Sequence, residues 1–332
     1  MNAKRIGTAL MKVVNAMIIP IVVYAIFSIL SKGRFLSMRM IVTTLRQTVV
    51  PALICYCLVL NIRVGMVNFS SGSIILASCI IGYNLADITG TGLVGVCLFM
   101  IITGMLLGVL SGFLYIKLRV PCMVLSIGLM LMYEAIPRLF FPGGMNIPYK
   151  QTFLAQSPYC FIIIGIMFVI FYIMYNKTAF GHNLQAVGAN QAIADSVGID
   201  SDKVKFLTFV IGGAFLGVAG ILYASQQGEL RPVAALGSMS IAMDGFLGMF
   251  LALFIAQYCN LAYAAPISAL TMRIMSNGFV SLGMSATIRD VTNGVMMLVL
   301  LTISANQGMF ERRKADKLFA QQANEEYQKR LG

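Results

Sequence analysis

The chain has 332 residues, of which 59% are hydrophobic and only 11% charged, whereas a soluble domain carries about 25% charged residues. Mean hydropathy is +0.86, and the apolar residues come in continuous runs rather than in the alternation of a membrane β-barrel, so a soluble domain and a barrel are both excluded. The formal net charge of +12 fits basic residues gathered in the loops on one side of a membrane better than contact with nucleic acid.

A spanning helix needs about 20 mostly apolar residues to cross a hydrocarbon core about 30 Å thick. Runs of that kind occur near 13–31, 47–62, 68–87, 91–116, 121–141, 159–175, 204–225, 239–258, 261–280 and 288–305. The prediction is an all-α transmembrane domain over 1–310 with about ten spanning helices, followed by a charged cytoplasmic tail over 311–332. The basic start and the long apolar run from Val13 predict an uncleaved first span rather than a signal peptide. An N-terminus in the cytoplasm places Lys4, Arg5, Lys117, Arg119, Lys177, Lys203, Arg312, Arg313 and Lys314 inside. It also puts the basic stretch Lys32, Arg34, Arg39 and Arg46 in the first external loop, against the trend.

The segment Asn68-Phe-Ser-Ser-Gly-Ser73 opens the third run with polar, glycine-containing sequence. Irregular backbone at membrane depth survives only where protein or a water-filled cavity satisfies it. Asn68, Ser70, Ser71 and Ser73 are therefore candidates to line a path for a polar solute, since amides and hydroxyls both donate and accept hydrogen bonds. The alternative is a helix cap with close packing. Gly104, Gly108 and Gly112 form a ridge at four-residue spacing, as do Gly213 and Gly217. Such ridges let helices approach closely, here within one subunit. In the fifth run Glu134 and Arg138 lie four apart, flanking Pro137. They can neutralise each other across one helix face, either as a site at depth or as an anchor for the helix end. Asn277, an amide within the ninth run, joins the candidate path.

The longest polar stretch between spans is 176–205. Leu184, Val187, Ala194 and Val197 recur every three to four positions, and Gly181, Gly188 and Gly198 punctuate them. That predicts two short helices separated by turns, with Asp200, Ser201 and Asp202 capping the next span. Thirty water-compatible residues on one face read as a knob for a cytosolic partner; the alternative is a passive surface loop. The chain has one histidine, His182, and no Gly-x-x-x-x-Gly-Lys-Ser/Thr, so it cradles no nucleotide by a P-loop and needs no cofactor of its own. The seven cysteines sit in or beside apolar runs without Cys-x-x-Cys spacing, as packing residues do.

The 176–205 stretch, with Phe206–Ser225 behind it, resembles the permease subunits of bacterial ABC importers of the ribose, xylose and galactoside sugar type. Phe180, Gly181, Ala186, Val187, Gly188, Asn190, Ala194, Gly198 and Ile199 match that family's FGR-x-x-x-A-[IV]-G-x-N-x-x-A-A-x-x-x-GI pattern. GMVNFSSGS (65–73) is similar to its GIDLSVGS, and LSIGLMLMYEAIPRLFFPGG (125–144) to its TLG-x-M-x-x-YRG segment. Three departures stand out: Asn68 replaces an Asp, Glu134 occupies the place of an Arg, and 248–260 replaces a glycine-rich loop. The resemblance implies a multi-pass permease of the bacterial cytoplasmic membrane, in contact with lipid and paired with a second permease copy. It also implies a separate ATPase subunit that uses ATP and docks on Gly181, Leu184, Ala186, Val187, Gly188, Asn190, Ala194 and Gly198. An extracytoplasmic binding protein would deliver a small polar solute, first a monosaccharide and next a nucleoside. The rival reading is an ion- or proton-coupled secondary transporter using Glu134 and Asp244, which would be expected to show two similar halves.

Overall fold

The computed structural model describes residues 3–302 except 32, 257–258, 286, 289–290, 293, 296–297 and 300–301. The charged tail 311–332 lies outside them. In chain order the first unit holds α1 (Ala3–Leu30), a 3-10 turn (Arg34–Leu36), α2 (Met38–Arg63), α3 (Ser71–Thr89), α4 (Gly92–Leu118) and α5 (Cys122–Phe140). Then come β1 (Met145–Asn146), a second 3-10 turn (Tyr149–Ala155), α6 (Tyr159–Lys177), α7 (Ala179–Ala189) and α8 (Gln191–Ser196). α9 (Ser201–Gln227), β2 (Glu229–Leu230), α10 (Met239–Ile255) and α11 (Leu261–Ser281) complete it. A separate unit starts at Ser285; there the Thr292 and Thr302 hydroxyls donate to the Ile288 and Leu298 carbonyls, the back-bonding of helical turns.

The chain is all-helical as expected, and six of the described helices are long and apolar enough to cross a membrane: α2 to α6 and α9. Ala16–Leu30 within α1 and α10 are apolar but shorter. α2 is the central post, packed against α6, α9, α10 and α11. Its start at Met38 corrects the expected external loop, because Arg39 and Arg46 lie on the helix itself. Ser37 supplies the reason, with its side chain accepting from the Met40 N–H as a helix cap.

α4 and α9 form the closest helix pair, and the two glycine ridges meet each other. A Cβ on Gly104 would lie 2.6 Å from the Gly213 carbonyl oxygen, and one on Gly108 would lie 2.5 Å from that of Phe209. Between helices immersed in lipid, such backbone proximity supplies the dispersion contacts that hydrophobic burial supplies in water. A bulky side chain here must separate the helices, and overpacking costs about 1–3 kcal/mol or more. Gly213→Leu is therefore expected to abolish recovery of monodisperse protein in detergent size-exclusion. Gly128→Leu, where a Cβ meets open space, is expected to behave like the wild type.

Candidate functional site

At one end of the first unit the stretch 176–205 folds into the two expected short helices. The Thr178 hydroxyl caps α7 by accepting from the Gly181 N–H, and the Asn190 side chain caps α8 by accepting from the Ile193 N–H. Asp200 caps α9, accepting from the Lys203 N–H at 3.0 Å. That bond, and then the Lys203 ammonium at 3.1 Å, hold its carboxyl below the ordinary aspartate range. The pair is anchored to the body of the chain. Leu184, Val187 and Ala194 are buried. A Cβ on Gly181 would strike the Tyr175 and Met174 carbonyls, and one on Gly188 the Arg63 carbonyl at the end of α2. Gln185 donates to the Tyr175 carbonyl, Lys205 donates to the Gln191 side chain, and the Ser201 hydroxyl donates to Asp195.

The motif residues of α7 and α8 thus divide into two sets. Gly181, Leu184, Val187, Gly188 and Ala194 seat the helices on the rest of the chain, while Asn190 caps and Gly198 turns at φ +88°. Ala186 is partly covered. The exposed apolar side chains are instead Ile193, 62% exposed, and Val197, 70% exposed, one turn apart. Sequence reasoning missed the pair because it took the motif's small residues for the outward face.

Within the membrane layer the Asn68–Ser73 segment starts α3. The Asn68 side-chain oxygen accepts from the Ser70 N–H at 3.0 Å and from its hydroxyl at 2.7 Å, and the Ser73 hydroxyl donates to the Ser70 carbonyl. These are the bonds of a helix start. All four side chains are buried, and the Ser71 hydroxyl has no hydrogen-bond partner among the described residues. Phe69 lies against Phe246 of α10, and a Cβ on Gly72 would run into the Ser238 carbonyl.

That carbonyl belongs to a segment that sequence reasoning passed over. After β2, which pairs antiparallel with β1 (Met145 with Leu230), residues 231–238 run back into the membrane layer. They end at the N-terminus of α10, where Glu134 holds them. One carboxylate oxygen accepts from the Ser238 N–H at 2.8 Å and its hydroxyl at 2.6 Å; the other accepts from the Leu236 N–H at 3.1 Å. Counting back from Phe140 at 1.5 Å per residue, Glu134 is about 9 Å below the end of α5, so α10 begins within the membrane thickness. A carboxylate at a helix N-terminus complements its dipole. It also steadies Ala235 and Leu236, both left-handed at φ +56° and +66°, a conformation that costs non-glycine residues about 1–3 kcal/mol each. The expected pairing with Arg138 is not formed: the Arg138 side chain is exposed beside Arg231, and the α10 donors take both Glu134 oxygens. Asp244 of α10 is instead paired with Arg273 of α11 at 3.1 Å. Asn277 donates to the side-chain oxygens of Thr44 and Gln47 on α2, both at 3.0 Å.

Two comparisons with known proteins point to the same kind of protein. Residues 40–301 match the family described as branched-chain amino acid transport system / permease component. Among curated proteins, the chain is similar to the Autoinducer 2 import system permease protein LsrC of Yersinia pseudotuberculosis serotype O:3 (strain YPIII). The two are 26% identical over 273 residues, 74% of this chain and 75% of that protein. The protein of the same name from Yersinia enterocolitica serotype O:8 / biotype 1B (strain NCTC 13174 / 8081) is 28% identical over 210 residues, 58% of each chain. That from Yersinia pestis (strain Pestoides F) is 25% identical over 273 residues, 74% of this chain and 75% of that protein. No solved structure matches the chain significantly. The family match spans most of the chain and bears out the resemblance drawn from its motifs. The chain belongs to this permease-component family, as a multi-pass ABC-importer permease of the bacterial cytoplasmic membrane.

Proposed function

We propose that the chain forms one half of an ATP-driven import channel, with about ten spans, and passes a small polar solute inward. A monosaccharide is the first candidate for that solute and a nucleoside the second. A cytosolic ATPase subunit docks on α7 and α8 and alone binds and uses ATP. A second permease copy completes the channel, and an extracytoplasmic binding protein delivers the solute. The observation that carries the reading is the helix pair α7–α8, tied down on one face by glycine contacts and bearing Ile193 and Val197 on the other.

The path is proposed to pass the junction of Asn68, Ser70, Ser71 and Ser73 with Glu134 and Ser238, and to include Asn277, which bonds Thr44 and Gln47 of α2. An unpartnered buried hydroxyl, a strained turn and a helix that begins at depth are features that collect where a membrane protein changes conformation. Opening would then be a shift between inward- and outward-facing states driven by differential binding of the partners. The ion-coupled alternative needs a titratable group free at depth. Asp244 is already paired with Arg273, and Glu134 gives both oxygens to α10.

Because the chain has no phosphate-cradling loop, the purified protein is expected to hydrolyse no ATP, whereas co-expression with its ATPase yields a complex that does. ATP turnover by the isolated, contaminant-free chain at the rate of the complex would overturn the assignment.

A further inference from the structure

The end of the first unit opposite α7 and α8 holds a polar cavity of about 620 Å³, lined by Thr43, Arg46, Gln47, Thr152, Gln156, Ser225, Gln226, Gln227 and Gly228. Thr43, Arg46 and Gln47 occupy one face of α2 at helical spacing, and Ser225 to Gln227 form the last turn of α9. At 1.5 Å per residue, Arg46 stands about 25 Å along α2 from Arg63 and Ser225 about 36 Å along α9 from Ser201. On the importer reading this is the outer mouth.

Amide, hydroxyl and guanidinium groups at this level cannot face lipid without heavy cost, so the cavity opens to water. Its lining offers carboxamides and hydroxyls, which match a ring or chain of solute hydroxyls. It contains no carboxylate, and Arg46 forms no ion pair among the described residues. Arg46 is nonetheless held in place: its Nε donates to the Ala155 carbonyl at 3.1 Å, and Gln226 donates to its backbone carbonyl at 3.3 Å. Gln47 is oriented by Asn277. Among the described residues the result is a fixed positive charge, one guanidinium without a carboxylate beside it, within a hydroxyl-matching wall. A guanidinium is suited to a carboxylate, which accepts from it in a fork. One such charge balances a carboxylate rather than a phosphate, which carries close to two negative charges. No apolar wall is present to receive the side chain of a branched-chain amino acid.

We propose that this cavity is the outer receiving site of the permease and that it takes a small polyhydroxylated carboxylate, a sugar acid in chemical class, with Arg46 binding the carboxylate. The inference rests on the importer reading for the direction of delivery, but its test does not depend on ATP hydrolysis. In a cysteine-free background that still co-assembles with the ATPase, Gln227→Cys reports on the cavity. Gly143→Cys, whose Cβ meets open space, reports on the exposed turn between α5 and β1. Both are labelled from outside with methanethiosulfonates carrying either a sulfonate or a trimethylammonium group.

The sulfonate-to-ammonium rate ratio is expected to be about fivefold higher at Gln227→Cys than at Gly143→Cys, and Arg46→Gln is expected to erase the difference. Millimolar gluconate is expected to slow labelling of Gln227→Cys, whereas sorbitol and leucine leave it unchanged. Absence of labelling at Gln227→Cys, or a ratio that survives Arg46→Gln, overturns the site. Equal protection by sorbitol, or protection by leucine, overturns the carboxylate assignment. ATP turnover by the isolated chain would instead remove the importer reading while leaving these labelling results standing.

Discussion

Replacing Ile193 and Val197 together by aspartate is expected to abolish co-purification of the ATPase subunit while leaving the permease folded in the membrane. Each side chain is large, apolar and exposed, and neither is needed to hold α8. That helix is fixed by the Asn190 cap, by the Ser201–Asp195 bond and by burial of Ala194. Anchors of this kind commonly contribute 2 kcal/mol or more each to a protein interface, so losing both weakens a complex by about a thousandfold. A carboxylate carried into the partner's groove adds a desolvation cost. Ala194→Arg separates the two faces of α8. Because Ala194 points inward, its arginine should unseat the helix and lower permease yield rather than interfere only with docking. The measurement is the ATPase-to-permease ratio after affinity purification, together with the permease's own size-exclusion profile. A stoichiometric complex carrying both aspartates would remove Ile193 and Val197 from the interface.

How far the sequence carried depended on the range of the interactions concerned. Helices appear at each of the first nine predicted spans, because a bilayer demands long apolar runs and nothing else satisfies a backbone in lipid. The α7–α8 pair was legible from apolar periodicity, from the glycines that punctuate it and from the cap at Asp200, all local signals. Close packing at the two glycine ridges was legible from their four-residue spacing, but that the Gly104 ridge meets the Gly213 ridge was not. What stayed hidden was long-range. Glu134 and Ser238 are far apart in sequence, so the spacing of Glu134 and Arg138 invited a local ion pair where a helix cap forms. The start of α2 was misplaced because polar residues such as Thr43 and Arg46 read as loop. On the helix they form one polar face, which becomes visible only when the last turn of α9 is set beside it. The inward-facing motif residues of α7 and α8 looked like a docking surface because a motif records which residues are needed, not which way they point.

Glu134→Ala is expected to be among the most damaging single truncations in the membrane layer. It removes the acceptor from the buried N–H and hydroxyl of Ser238 and from the part-buried N–H of Leu236. A buried donor left without a partner costs about 1–3 kcal/mol, so the loss reaches several kcal/mol against a typical net stability of about 5–15 kcal/mol. The left-handed turn at Ala235 and Leu236 then has nothing to offset its strain, and the N-terminus of α10 loses the negative charge that its dipole favours. Glu134→Gln keeps one oxygen acceptor in nearly the same volume and should fall between alanine and wild type. Ser238→Ala removes only the hydroxyl contact and should cost about 1 kcal/mol. Thermal unfolding of the purified permease in detergent should therefore rank wild type, Ser238→Ala, Glu134→Gln and Glu134→Ala in falling order. Solute uptake should follow the same order, because the junction of Gly72 with Ser238 is set by the same carboxylate. A Glu134→Ala protein that melts with the wild type would show that the turn and the start of α10 hold their shape without the cap.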